Sequence, residues 1–254
     1  EYLESALSRV VVQQRLNAAG GFVWPPVDFR LDQTPRVLVT SPRDRIERQQ
    51  TVLIAPDVAV AEMERIEGAL LARENISAIV EATGGLATYP TVVLAGQDLL
   101  PLLEVAAHEW LHSYLFFRPL GQQYDQSADM TTLNETLADI AGREIGGMAY
   151  TLLTGKNAPP LDPPRDSSAA PARPGEFDLF MFMRETRQRT DDLLKRGAIT
   201  GAEGYMEQRR VELSSHGYQV RKINQAYFAF HGSYGESPSS VSPIARELFE
   251  LRTL

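Results

Sequence analysis

Cysteine is absent from the 254 residues, which excludes disulfides, thiolate zinc sites and cysteine nucleophiles while leaving both reducing and oxidising compartments open. No uninterrupted apolar run approaches the roughly 20 residues that span a bilayer, and the first residues lack the basic-then-apolar layout of a signal peptide. Positive charge is outnumbered. The 25 Lys and Arg against 33 Asp and Glu leave a net charge of -8, which opposes the counterion-releasing attraction to phosphates, so nucleic acid is not an expected partner.

What is present suits a folded chain. Hydrophobic residues make up 43% and charged residues 23%, inside the globular range, and the length supports one large domain or a catalytic domain with a smaller partner. The chain begins at Glu1 rather than Met. Compartment is left uncertain, with an extracytoplasmic or membrane-anchored setting favoured; any membrane contact would run through a segment absent from this chain.

Along the chain, Leu3, Ala6, Leu7, Val10, Val11 and Leu16 recur at helical spacing and predict a helix stopping at Gly20-Gly21. The β-branched runs 36–40 and 51–55 predict strands, 58–73 a charged helix, and 76–80 and 88–95 two more strands around a Gly84-Gly85 turn. The stretch 99–117 reads as a mostly buried helix with Pro101 near its first turn. A second helix is expected over 132–145, halted by Gly146-Gly147. Residues 156–175, crowded with Pro, Ala and Ser, read as a loop or linker, and charged helical patterns over 177–195, 203–214 and 220–230 predict an all-helical C-terminal part.

Inside the buried helix lies His108-Glu109-Trp110-Leu111-His112, an HExxH motif. Residues four apart share a helix face, so both imidazoles can reach one ion while Glu109 sits beside it as a proton carrier. With four His in the chain, chance matches to this pattern number roughly 0.005, so accident is a poor explanation. A catalytic zinc site takes three protein ligands and keeps one position open. Downstream, Leu133-Asn134-Glu135-Thr136-Leu137-Ala138-Asp139 puts Glu135 and Asp139 on one helix face. Asp125 and Asp129, in the intervening stretch, lack such a helical partner.

These two motifs resemble those of the gluzincin class of zinc peptidases, in which a helix bearing a glutamate ligand in an NExxxD-like pattern follows the HExxH helix. The resemblance implies one Zn2+ per chain held by His108, His112 and Glu135, Glu109 as general base, and Asp139 orienting His108 by hydrogen bond. It also sets Gly84–Val93 where gluzincins carry a substrate-pairing edge strand; an ordinary core strand after a Gly turn is the competing reading. More narrowly, the chain is similar to bacterial aminopeptidase-like proteins whose late Asn-containing helix, here Ile223 to Phe230, precedes a Tyr, with the likeness covering about the second half of the chain.

Negative charge on a hydrolysed carbonyl calls for a further donor, and His231 and Tyr234 are the candidates, against a helix-capping His231 and a packing Tyr234. His216 reads as helix-terminal or exposed, Glu104 as an exposed Glu or a supporting group for His108, and the cluster Arg184, Arg187, Arg189, Lys195 and Arg196 as a solvated, salt-bridged face.

The expectation is therefore an α+β fold. A zincin-like catalytic domain, a small twisted sheet beside the active-site helices, is expected over 1–155; the Pro-rich linker over 156–175; and a helical part lining the cleft over 176–254. The expected function is zinc-dependent hydrolysis of a peptide or protein substrate, as an aminopeptidase on the narrower likeness. The alternatives are a non-catalytic zinc scaffold and a zinc hydrolase of a non-peptide amide or ester.

Overall fold

A computed structural model describes residues 1–18, 20–165 and 177–252. The fold is α+β, with helices interspersed among short strands. The chain divides into two compact units, the first comprising Glu1–Pro35, Ala82–Pro163 and Ala245–Leu254, the second Arg36–Glu81 and Pro164–Ile244. The units therefore do not meet the expected boundaries at 155 and 175: residues 36–81 group with the late helices. Most of the expected linker, from 166 on, lies outside the described residues.

The first unit holds α1 (Tyr2–Gln13), β1 (Phe29–Asp32), β5 (Gly85–Leu86), β6 (Thr91–Leu94), α3 (Leu99–Phe116), α4 (Pro119–Gln122), α5 (Ala128–Thr154) and most of α9 (Ile244–Arg252). The second holds β2 (Arg36–Pro42), β3 (Gln50–Ile54), α2 (Val60–Glu74), β4 (Ile76–Ala82) up to Glu81, α6 (Leu179–Lys195), α7 (Ile199–Ser215) and α8 (Gln225–His231). Each unit has its own three-stranded sheet: β1-β6-β5 in the first, with β1 parallel and β5 antiparallel to β6, and β3-β2-β4 in the second, with β2 and β3 antiparallel. No helix among the described residues is long and apolar enough to cross a membrane.

The core of the first unit explains where its helices lie. Leu7, Val10 and Val11 of α1, Val93 of β6, Leu103, Ala107 and Trp110 of α3 and Ala138 and Ala149 of α5 form one buried cluster. The Trp110 indole donates to the Pro25 carbonyl at 2.8 Å, so this large ring is buried without stranding its N–H. In the second unit, Phe182, Met206, Leu213 and Phe228 form one cluster, and Val37, Val39, Ile79 and Ala226 another.

Two helix ends differ from expectation. Helix α1 stops at Gln13, and Arg15 takes a positive φ of 58°, before the glycines are reached. Helix α5 starts at Ala128 under a Ser127 cap that accepts from Met130 N–H, then runs straight through Gly146-Gly147 to Gly155, which ends it at φ 71°. The interior glycines serve close approach instead. A Cβ on Gly142 would lie 2.9 Å from His108 N, and one on Gly146 2.6 Å from both Glu104 N and Cα. Those neighbours are backbone atoms and cannot swing away, so the cost of glycine inside a helix is offset by the contact of α5 with α3.

Candidate metal centre

The centre is built where α3 and α5 touch, wholly within the first unit. His108 and His112, one turn apart on α3, face Glu135 on α5, and the three form the one His/Cys/Asp/Glu group able to hold a metal among the described residues, with donor atoms within 4.8 Å of one another. His108 Nε2 and His112 Nε2 are 3.0 Å apart. Glu135 Oε2 lies 3.6 Å from the first and 3.5 Å from the second. A tetrahedral ion with bonds of about 2.0–2.1 Å sets its ligands about 3.3 Å apart. The observed triangle therefore fits such an ion.

The donor chemistry fits as well. Asp139 Oδ1 lies 2.9 Å from His108 Nδ1, a contact that places the ring proton on Nδ1 and turns the Nε2 lone pair toward Glu135 and His112. Without a cation, burial works against charge on His108, but the Asp139 and Glu135 hydrogen bonds and the nearby Glu109 carboxylate overrule it and raise the imidazole to about 10. Burial alone would also raise Glu135; hydrogen bonds to His108 and His112 hold it instead far below the usual carboxylate range. The site is a buried carboxylate that demands positive charge.

Glu109 follows His108 on α3 without joining the group. Its carboxyl is raised first by burial, with His108 and His112 pulling it down and Glu135 and Asp139 pushing it up. Strand β5 lies against it: a Cβ on Gly85 would sit 2.6 Å from Glu109 Cγ and 2.7 Å from its Oε1. Only glycine fits that approach. β5 is also the edge of its sheet, so Gly85 opens a strand rather than forming only the expected turn.

The remaining candidates do not join this group. His231 closes α8 in the second unit, 3.7 Å from Glu81 Oε1 and with its ring 4.3 Å from that of Tyr227, while the Tyr234 ring meets Phe230 edge-on. Neither belongs to the unit that carries the metal group. His216 ends α7 exposed and stacked on Phe177, and Arg187 pairs with Asp191. Asp125 and Asp129 are exposed. Glu104 is half-buried rather than exposed, and burial raises its carboxyl against the pull of Arg143.

One side chain at the centre escapes the sequence motifs. Tyr124, between α4 and α5, donates its hydroxyl to Glu135 Oε1 and sets its ring edge-on to His112, with centroids 6.0 Å apart. No spacing rule connects a loop tyrosine to a glutamate eleven residues on; only the proximity of Tyr124 to the helix start at Ser127 hints at it. No family model, curated protein or solved structure matches the chain.

Proposed function

We propose that the protein is a zinc-dependent peptidase, with the ion held by His108, His112 and Glu135 and with Glu109 as general base. The supporting observation is the donor triangle, whose sides of 3.0, 3.5 and 3.6 Å match a tetrahedral ion with one position left over. Zinc, when bound, supplies Lewis acidity, polarising a carbonyl and making water acidic near neutral pH.

The chain's own residues do the rest. Asp139 keeps the proton of His108 on Nδ1, so the ring serves as a neutral ligand. The Glu109 carboxylate accepts a proton from the attacking water and returns it to the departing amine nitrogen. Burial, by raising that carboxyl, makes it a better proton acceptor than an exposed glutamate. The edge strand β5, held against Glu109 by Gly85, can receive an extended peptide by main-chain pairing. This zincin-like arrangement favours a peptide over another amide or ester.

The test is metal analysis and a peptide-cleavage screen on wild type beside Glu109→Gln. About one zinc per chain in both proteins is expected, with hydrolysis slowed roughly 100- to 10,000-fold in the variant. Cleavage by Glu109→Gln at the wild-type rate would remove Glu109 from its role; a wild type that binds zinc and cleaves no peptide would favour the scaffold or the non-peptide hydrolase over a peptidase.

A further inference from the structure

Helix α4 and the loop that follows it are fastened down by one face of α5. Thr131 Oγ1 donates to the Tyr124 carbonyl at 2.8 Å, and Asn134 Nδ2 donates to the Leu120 carbonyl at 3.1 Å. One residue on, Glu135 receives the Tyr124 hydroxyl. Position 131 is three residues before 134 and four before 135, so it neighbours both on one side of the helix. That side positions the loop which in turn holds the ligand.

The consequence concerns the two oxygens of Glu135. Oε2 faces both imidazoles at 3.5 and 3.6 Å, whereas Oε1 is engaged by the tyrosine hydroxyl. A carboxylate with both oxygens free can grip an ion in bidentate fashion and fill the position that a catalytic site leaves open. An oxygen that accepts a hydrogen bond keeps one more lone pair, but the bond turns it toward the donor and favours ligation through the other oxygen.

Resting on the metal reading above, we propose that Tyr124 is a positioning residue: its hydroxyl restricts Glu135 to one-oxygen ligation and so preserves a coordination position that no group among the described residues fills. The ring edge against His112 adds a second restraint on the same ligand set. A bidentate third ligand could close such a site as effectively as a fourth protein ligand.

The test compares wild type with Tyr124→Phe and with Thr131→Val, which removes the hydrogen bond to the Tyr124 carbonyl and leaves the Tyr124 hydroxyl and the Glu135 side chain in place. Zinc affinity is measured by competition with a chelator, the Co2+-loaded forms by visible absorption, and the metal-free forms by thermal unfolding. Tyr124→Phe is expected to weaken zinc roughly 10- to 100-fold and to lower the intensity of the cobalt bands as the ion gains a ligand oxygen, while metal-free unfolding stays near wild type. Thr131→Val should move affinity and spectrum the same way by less. Wild-type affinity in Tyr124→Phe would overturn the proposal. So would weaker binding with an unaltered cobalt spectrum, because Tyr124 would then support Glu135 without restricting it. A wild type that takes up neither ion would bring down the metal reading itself, a different failure from a variant that binds normally.

Discussion

Among the described residues two glutamates are buried, one in each unit, and they are treated in opposite ways. Glu67 on α2 accepts from Val80 N–H at 2.8 Å, from Arg221 Nη1 at 2.9 Å and Nη2 at 2.5 Å, and from Lys222 Nζ. Glu135 on α5 faces two imidazoles and a tyrosine hydroxyl. Burial opposes the charge of both, and hydrogen-bonding partners nonetheless hold both below the usual carboxylate range. The first carboxylate has permanent cations from its own chain. The second faces imidazoles, cationic only when protonated, and a neutral hydroxyl, a set that could hold a metal ion. A buried carboxylate supplied with Arg and Lys reads as structure, and one supplied with histidines as a site.

Charge-removing, shape-keeping substitutions should separate the two most sharply. Glu135→Gln is expected to weaken zinc by roughly a hundredfold or more, since structural zinc sites gather about 10–16 kcal/mol from four ligands. Chelator competition reads this directly. Retained zinc affinity in Glu135→Gln would erase the comparison.

Glu67→Gln should do different damage. It leaves Arg221 and Lys222 facing an uncharged amide, and because these partners remain partly exposed, at 24% and 34%, the loss is set at the lower end for a broken buried pair, about 3 kcal/mol. Zinc affinity should not change. The pH dependence gives the sign. Because the folded carboxyl lies below its ordinary value of 4.5, its contribution is complete above that value and disappears as pH falls through the folded one. The gap in denaturant stability between wild type and Glu67→Gln should therefore be widest at neutral pH and close on acidification. A gap that stayed constant, or widened in acid, would mean that Glu67 is not held as the anion.

How much of this was legible beforehand depends on the range of each interaction. The HExxH face and the Glu135–Asp139 pair are helical i, i+4 relations, so His108, His112 and Glu135 could be named and the structure brings them together. The α+β class and the approximate positions of β2, β3, β4, α2 and α3 follow from local patterning in the same way. Pairings between distant segments are not local. Strand β1 and its parallel register with β6, the grouping of residues 36–81 with the late helices, and Tyr124 on a loop all depend on contacts that no periodicity records. Helix α9 also went unread. Gly146-Gly147 misled for a different reason: glycine favours helix ends in isolation, and here packing against the Glu104 backbone overrides that preference. The spacing of Glu135, Ala138, Gly142 and Gly146 along one stripe of α5 was the available signal.

That stripe supplies the mildest test of the comparison. The Glu67 cluster uses long, flexible Arg and Lys side chains that can follow a small backbone shift, whereas the His108, His112 and Glu135 triangle depends on the distance between α3 and α5. Gly142→Ala would place a methyl 2.9 Å from His108 N and 3.0 Å from its Cα, against atoms that move only with their helix. Overpacking of this kind costs about 2 kcal/mol, partly offset by the better helix propensity of alanine. The expected outcome is a modest fall in denaturant midpoint together with a distinct drop in zinc affinity in protein that remains folded, because widening the helix pair carries Glu135 away from both imidazoles. Zinc affinity unchanged beside the lower stability would show that the metal centre tolerates displacement as readily as the Glu67 cluster, and that it is not held by the close approach of the two helices.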